Sequence, residues 1–108
     1  MSVEIETLSK YITINNIDFG DKVIFFKFGA EWCIPCKELE KILKDIPDVL
    51  IYHISIDNED FESFFMDNNI YTIPDTIVKY KNKSDRFVGC KTPEEINSII
   101  EKTKQYAQ

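Results

Sequence analysis

The stretch Trp32-Cys33-Ile34-Pro35-Cys36-Lys37 holds two cysteines separated by two residues and decides the fold of this chain. The apolar run before it, Val23 to Phe28, has the composition of a strand, and the residues from Ile34 onward have helical periodicity. A Cys-x-x-Cys at this junction puts the first sulfur at a helix N-terminus, where unpaired backbone N–H groups and the helix dipole favour an anion. Because the thiolate is the reactive form of cysteine, the pattern predicts disulfide exchange.

Length and composition indicate one globular domain, which we expect to cover residues 1–108. Hydrophobic residues make up 44% of the chain, which argues against disorder. The 13 Lys and Arg are scattered among 19 Asp and Glu, giving a net charge of −6, so we expect no nucleic-acid partner. No segment approaches the roughly 20 consecutive apolar residues of a membrane helix. Residues 1–10 lack the basic start and apolar stretch of a secretory signal.

The three cysteines are too few, and odd in number, for a disulfide scaffold. The cytoplasm is therefore the default location, where a Cys-x-x-Cys is redox-active or metal-binding. A structural zinc site needs a second pair of ligands, and the sequence offers only Cys90 and His53 beyond the first pair. We therefore expect no metal site.

Strand-like apolar runs alternate with helical patterns along the chain. Strands are predicted at Val23–Phe28, Val49–Ile56, Thr76–Tyr80 and Arg86–Gly89, with a further short strand near Val3–Glu6. Helices are predicted around Leu8–Ile12, from Ile34 to Ile46, over Phe61–Phe65, and after the capping box Thr92-Pro93-Glu94-Glu95. The segment Lys81–Asp85 is predicted to be a turn between antiparallel strands. This order predicts an α/β fold in three layers (α/β/α), with a mixed sheet of four to five strands flanked by about four helices.

The cysteine motif has companions elsewhere in the chain. Residues 30–37 read Ala-Glu-Trp-Cys-Ile-Pro-Cys-Lys, and Ile73-Pro74 follows later in the chain. Further residues lie at matching spacings from these two motifs, namely Asp57, Lys81-Asn82 and Val88-Gly89. Together these motifs resemble the thioredoxin family over nearly the whole chain, with Ile34 as the one change in the active-site signature. By this resemblance Pro74 is expected to follow a cis peptide bond opposite the cysteines.

The resemblance implies a role for each site residue. Cys33 is expected to be the exposed nucleophile, and Cys36 the more buried resolving thiol that releases the reduced substrate. Pro35 would fix the backbone between them, because proline sets φ and donates no N–H. The residues expected to contact substrate are Trp32, Ile34, Pro35, Ile73, Pro74 and Gly89.

The resemblance also implies an activity and its partners. The chain would be a protein-disulfide reductase, a thiol–disulfide oxidoreductase serving electron transport and cell redox homeostasis. No cofactor would be bound, since the cysteine pair is the redox centre. A separate thioredoxin reductase, which uses FAD and NADPH, would recharge it, and disulfide-containing proteins would be its substrates. We expect a monomer.

Two strand positions depart from the family pattern. Lys27 stands where most thioredoxins carry a buried Asp beneath the disulfide, and His53 aligns with the lysine that the family commonly places nearby. His53 is expected to be a half-exposed strand residue; the alternative is that it, like Lys27, tunes the pKa of the cysteines. Lys27 either carries its ammonium to the surface along an apolar stem or stays near the cysteines and tunes their pKa. In the second case a charged Lys27 would stabilise the thiolate and make the protein more oxidising, whereas a buried, neutral Lys27 would serve as the proton acceptor itself. We hypothesise the charged form, because the nearby negative charge of the family pattern is lost, and the midpoint potential of Lys27→Asp tests it.

Three further departures bear on partner choice. Gly29 replaces a frequently bulky residue and is expected to loosen the packing beside the site. Asp75 follows Pro74 where the family usually has Thr, and is expected to add negative charge at the edge of the substrate groove. Cys90 is expected to be a small buried residue standing in for alanine; the alternative is a third thiol that is glutathionylated or crosslinks two chains.

Two other functions remain open on the sequence. A more oxidising glutaredoxin-like or isomerase-like protein would use the same chemistry, although the chain lacks the Gly-Gly stretch that glutaredoxins carry after their cis-proline. A thioredoxin-fold adaptor would act by binding a protein partner, and the acidic surface with an exposed Trp32 suits that role. An adaptor, however, has no need to keep both cysteines and Pro35 together.

Overall fold

The structure is a computed structural model and describes residues 3–5 and 20–106. Its strands are β1 (Val3–Ile5), β2 (Val23–Gly29), β3 (Val49–Ser55), β4 (Asp75–Tyr80) and β5 (Lys83–Val88). Its helices are α1 (Ile34–Lys44), α2 (Glu62–Asp67) and α3 (Pro93–Tyr106), with a 3₁₀ turn at Glu59–Phe61 before α2. The helix predicted around Leu8–Ile12 lies outside the described residues. The described ranges therefore contain three of the four expected helices.

The strands form one mixed sheet in the order β1-β3-β2-β4-β5. β1, β3 and β2 run parallel, while β4 and β5 are antiparallel additions at the other side. In the register of the central strands, Lys27 lies between His53 of β3 and Thr76 of β4. The predicted mixed sheet is confirmed. The structure also shows that three polar residues lie in one row across its centre.

Helices cover both faces of the sheet, as a three-layer α/β/α fold requires. The core between the sheet and the pair α1 and α3 contains Val23, Phe25, Leu39, Leu43, Ile46, Val49, Ile51, Val78, Phe87, Ile96 and Ile100. The core on the α2 face contains Ile24, Phe26, Phe28, Tyr52, Ile54, Phe61, Phe64, Phe65, Ile70 and Ile77. Side chains alternate along a strand, so Lys27 shares the α1 face with Val23 and Phe25.

The last helix begins as its sequence predicts. The Thr92 N–H donates to Glu95 Oε1 at 3.1 Å, and the Glu95 N–H donates to Thr92 Oγ1 at 3.2 Å. The hydrogen bond from Thr92 lowers the pKa of Glu95, because it stabilises the carboxylate. This reciprocal capping box fixes the point where the chain turns from β5 into α3.

The hairpin differs from its prediction. Only Lys81 and Asn82 form the turn, with Lys81 at φ 53°, and β5 already begins at Lys83. Residues 83–85 therefore belong to a strand, although their composition is that of a turn. β5 is an edge strand, where charged and polar side chains face water and protect the edge from further pairing.

Candidate active site

The two cysteines lie at the junction between β2 and α1. Cys33 is the N-cap residue of α1, and the backbone N–H of Cys36 donates to Cys33 Sγ at 3.3 Å. The two sulfurs form a disulfide across a Cα–Cα distance of 5.2 Å. Pro35 sits in the first turn, where a missing N–H costs no helical hydrogen bond. The first sulfur is thus held at a helix N-terminus, where negative charge on it is stabilised.

The two sulfurs differ in their access to solvent. Cys33 is 7% exposed and Cys36 is fully buried. The expectation that Cys36 is the more buried of the two is confirmed, whereas Cys33, which was expected to be exposed, is itself largely buried. Ala30 and Ile73 pack around the pair. Of the two cysteines, Cys33 alone keeps some exposed surface.

The loop before β4 lies against the cysteines. The Ile73–Pro74 peptide bond is cis, as predicted, and Ile73 is packed on the cysteine pair. The Gly89 N–H donates to the carbonyl oxygen of Pro74 at 2.8 Å, with Gly89 at φ 82°. A side chain at that φ is strained, so glycine suits the position. The fold thus brings Ile73, Pro74 and Gly89 together beside the pair.

Large apolar side chains stand in solvent around this point. Trp32 is 68% exposed and Ile34 is 72% exposed. The Trp32 Nε1–H donates to Asp57 Oδ1 at 3.3 Å, which holds the indole on the surface. Tyr71, 87% exposed two residues before Ile73, was not predicted, although its position next to the cis-proline motif could have indicated it. All three side chains leave apolar surface exposed on the segments that carry the cysteines and the cis-proline.

Beneath the disulfide, the structure changes the interpretation of Lys27. Its side chain is 6% exposed, so the ammonium does not reach the surface, and Nζ lies 3.5 Å from the carbonyl oxygen of Cys36. Glu40 Oε1 is 3.6 Å from that Nζ and 3.5 Å from Nδ1 of His53. His53 is partly buried on its strand, as expected. A carboxylate thus stands beside the lysine, whereas the proposed oxidising effect assumed that nearby negative charge was lost.

Glu40 is a second residue of the site that the sequence interpretation missed. Cys33, Cys36 and Glu40 are spaced at i, i+3 and i+7, so they lie on one face of α1. That spacing was readable from the sequence. The contact with Lys27 and His53 was not, because it depends on how α1 lies across the sheet.

Gly29 has a different role from the one expected. A Cβ at this position would come within 3.0 Å of Cys36 Sγ and 3.7 Å of Lys27 Cε. The glycine therefore lets the resolving sulfur and the lysine stem approach the same point of β2. It permits close packing there and does not loosen it. Lys27, Gly29, Glu40 and His53 also line a cleft of about 360 Å³.

Asp75 does not add charge to the surface, contrary to expectation. Its side chain is 1% exposed, and Arg86 Nε donates to its two carboxylate oxygens at 2.9 and 3.1 Å. Arg86 also donates to the carbonyl oxygens of Asn68 and Asn69, at 2.9 and 3.0 Å. Hydrogen bonding to Asp75 raises the pKa of Arg86. The pair ties the strand after the cis-proline to β5 and to the end of α2.

Cys90 is exposed, so the prediction that it is a small buried residue is wrong. It follows Gly89 in the loop before α3, where the chain returns to the surface. Partial desolvation, and secondarily the negative charge of Glu38, raise the pKa of the Cys90 thiol. A thiol with a raised pKa holds less thiolate at neutral pH.

We expect Cys90 to alkylate more slowly than free cysteine at pH 7. The measurement is iodoacetamide labelling followed by mass spectrometry in a Cys33→Ser/Cys36→Ser background, where Cys90 is the remaining thiol. Glu38→Gln removes one cause of the raised pKa and should speed labelling modestly. If Cys90 is labelled as fast as free cysteine, with or without Glu38→Gln, the raised pKa of this thiol is contradicted.

Two kinds of feature are absent from the part of the chain that the structure describes. Among residues 3–5 and 20–106, no cluster of three or more His, Cys, Asp or Glu side chains is arranged to hold a metal ion. Within the same ranges, none of the helices has the length and apolar character needed to cross a bilayer.

Comparison with known proteins gives one consistent result. The model of the family described as Thioredoxin matches residues 5–102. A thioredoxin of Chlamydia pneumoniae is 32% identical over 103 residues, covering 86% of this chain and 96% of the relative. A putative thioredoxin H10 of Arabidopsis thaliana is 28% identical over 78 residues, covering 68% of this chain. The chain spans about half of that relative (49%), and 44% of a thioredoxin of Geodia cydonium.

Solved structures show the same fold. Thioredoxin from Trypanosoma brucei brucei matches with a TM-score of 0.71 at 20% identity, covering 97% of this chain and 92% of that one.

Proposed function

The chain belongs to the thioredoxin family, and from that membership we propose that it is a thiol–disulfide oxidoreductase that reduces disulfides in other proteins. The observation that carries the proposal is the Cys33–Cys36 disulfide at the N-terminus of α1, with the cis Ile73–Pro74 segment packed against it. A disulfide beside exposed apolar surface fits exchange with a protein partner better than adaptor binding alone.

In the proposed cycle, the thiolate of Cys33 attacks one sulfur of a substrate disulfide. A bond forms between Cys33 and that sulfur, and the other substrate sulfur leaves as a thiolate. Cys36 then attacks Cys33, so the internal disulfide forms and the mixed disulfide breaks. Two electrons pass from the cysteine pair to the substrate. The burial of Cys36 supports this order, because an external sulfur reaches Cys33 first.

The substrate is proposed to lie across the apolar surface around the disulfide. Trp32 and Ile34 offer exposed side chains, and Pro35 stiffens the backbone between the sulfurs. Ile73 and Pro74 offer the edge of a loop beside Cys33, which an extended peptide can follow. Gly89 supports that loop through its hydrogen bond to Pro74. Such a site would bind substrates through their backbone and apolar side chains and would not require one particular substrate sequence.

We place the chain as a single domain, a monomer that binds no cofactor and draws electrons from a thioredoxin reductase using FAD and NADPH. The support is chemical, because the cysteine pair itself stores the two electrons and needs a dithiol partner for recharging. We assign it to the cytoplasm, since a disulfide that must be reduced again suits a reducing compartment. Cell fractionation tests this assignment. Because relatives include mitochondrial and chloroplastic thioredoxins, finding the protein in one of those organelles would contradict it.

The test of this proposal is reduction of insulin disulfides by the purified chain in the presence of NADPH and thioredoxin reductase. We expect turnover that falls to the background rate in the Cys33→Ser/Cys36→Ser variant. A parallel assay with glutathione, glutathione reductase and NADPH should give little turnover. Faster turnover with glutathione would assign the chain to the glutaredoxin-like alternative, and no turnover in either system would overturn the proposed activity.

A further inference from the structure

One guanidinium group joins the two ends of the segment that carries the cis-proline, residues 68–75. Arg86 donates through Nε to both carboxylate oxygens of Asp75, at 2.9 and 3.1 Å, and through Nη2 to Asp75 Oδ2. The same side chain donates to the carbonyl oxygens of Asn68 and Asn69, at 2.9 and 3.0 Å. We call these contacts the Arg86 clamp. Because Asn68 begins the segment and Asp75 ends it, the clamp closes the segment into a loop.

Between its two ends, the segment has few hydrogen bonds that fix its shape. Tyr71 is exposed, and among the residues that the structure describes, none hydrogen-bonds to the backbone of residues 71–73. On one side of them, the N–H of Ile70 donates to a carbonyl oxygen of α2 at 2.9 Å. On the other side, the carbonyl oxygen of Pro74 accepts from the Gly89 N–H. The shape of residues 71–73 therefore depends on how firmly the two ends of the segment are held.

The clamp depends on residues in which this chain differs from the family pattern. Asp75 stands where the family usually has Thr, and a threonine hydroxyl carries no charge to pair with a guanidinium. A buried ion pair adds little net stability over apolar residues of the same volume, but it fixes the geometry of the groups that it joins. The planar fork of donors on Arg86 reaches a carboxylate and two carbonyl groups together, which a lysine ammonium does not do with the same geometry. The residue types therefore fit a role in positioning.

The segment that the clamp holds borders the disulfide. Ile73 packs on the pair Cys33 and Cys36, and in the proposed function an extended substrate follows this edge. A binding segment that is already held in its bound shape loses less conformational entropy when the substrate arrives, so the affinity is higher. A small disulfide that reaches only Cys33 gains nothing from the edge. The clamp should therefore matter for extended peptides and not for small disulfides.

We propose that Arg86 is a positioning residue for substrate recognition, and that its clamp holds residues 68–75 in the shape that binds extended peptide disulfides. This inference rests on the proposed function and adds to it a determinant of the substrate class. Arg86 acts through the segment, so its loss should weaken substrate binding and leave the exchange between sulfurs unchanged. An interaction that serves binding alone raises the half-saturating substrate concentration when it is removed and leaves the maximum rate as it was.

The test follows single-turnover oxidation of the reduced full chain by acid quenching and mass spectrometry, over a range of substrate concentrations. The two substrates are an extended peptide that contains a disulfide and hydroxyethyl disulfide, which has no peptide backbone. The main variant is Asp75→Thr/Arg86→Met, because it removes the clamp without leaving a buried charge unpaired. For the peptide, we expect its half-saturating concentration to rise about 10-fold, which matches the cost of ordering about one or two side chains. Its maximum rate, and its rate with hydroxyethyl disulfide, should stay within about twofold of wild type.

Three further variants separate positioning from a general loss of stability or charge. Arg86→Lys keeps the cation without the planar fork, so it should raise the half-saturating peptide concentration in the same direction by a smaller factor. Ile96→Ala leaves a cavity in the core under α3 and lowers stability there, and both substrates should react as with wild type. Lys83→Met removes a cation from an exposed position of the same strand and should also leave both substrates unaffected.

The outcomes distinguish this inference from the proposed function. A loss confined to the half-saturating peptide concentration supports the positioning role of Arg86. An equal loss with both disulfides, a loss that Ile96→Ala shares, or unchanged constants for the peptide in Asp75→Thr/Arg86→Met would each overturn that role. If the wild-type chain reduces neither disulfide, the proposed function itself fails, whatever the variants show.

Discussion

Replacing Cys36 with serine will leave a chain that attacks disulfides but cannot release them, so a mixed disulfide through Cys33 will accumulate as the final product. The reason lies in the burial of the two sulfurs. Cys33 is within reach of a partner, and the fully buried Cys36 supplies the only second sulfur positioned by α1 to complete the exchange. The measurement is mass spectrometry of the adduct formed with a peptide disulfide, digested to locate the modified cysteine.

The matched variants make this prediction strict. Cys33→Ser should form no adduct and should lose turnover to the background rate, whereas Cys90→Ser should behave like wild type. Adducts that form through Cys36 in the Cys33→Ser variant would reverse the two assigned roles. Adducts through Cys90 would show that the third thiol takes part in exchange.

Replacing Arg86 with methionine will destabilise the fold by about 3 kcal/mol, within the range for removing one partner of a buried ion pair. The carboxylate of Asp75, 1% exposed, would then lack its cation, and two carbonyl oxygens at the end of α2 would lose their donor. We use the lower end of that range because Arg86 is 39% exposed. Urea unfolding followed by circular dichroism measures the change in the free energy of unfolding. In thermal unfolding, the same change should lower Tm by roughly 10–20 °C.

Two controls separate the buried carboxylate from lost contacts in general. Lys22→Ala removes one partner of the exposed pair between Lys22 and Asp48, 3.7 Å apart, and should cost less than about 1 kcal/mol. Asp75→Thr/Arg86→Met removes the buried charge as well, so it should be more stable than Arg86→Met alone. An Arg86→Met variant no less stable than Lys22→Ala would show that the pair does not hold the cis-proline strand.

The central strands and helices were predictable because their apolar patterns are strong. β2 is buried along its whole length, which matches its continuous apolar composition, and Phe61, Phe64 and Phe65 all lie in the core as expected. The start of β5 was not predictable, since polar residues at a sheet edge have the composition of a turn. The cysteine motif and the cis-proline could be identified because both are local in sequence.

The ion pairs of the site could not be predicted from the sequence. Whether Lys27 reaches solvent depends on the stem's position under α1, and the partners of Asp75 and Lys27 come from other elements of the chain. Local patterns assign a charge to a residue but do not say which opposite charge the fold brings to it. The prediction for Cys90 was wrong because the burial of this residue depends on where the loop before α3 lies, which local sequence does not determine.

The most direct test equilibrates the Cys90→Ser variant in buffers of defined thiol–disulfide ratio and counts free thiols by maleimide labelling. We predict that Cys33 and Cys36 lose and regain their thiols together in one reversible two-electron transition, changing tenfold in ratio for each step of about 30 mV. Independent oxidation of the two thiols, or a disulfide that no thiol buffer reduces and restores, would contradict the account.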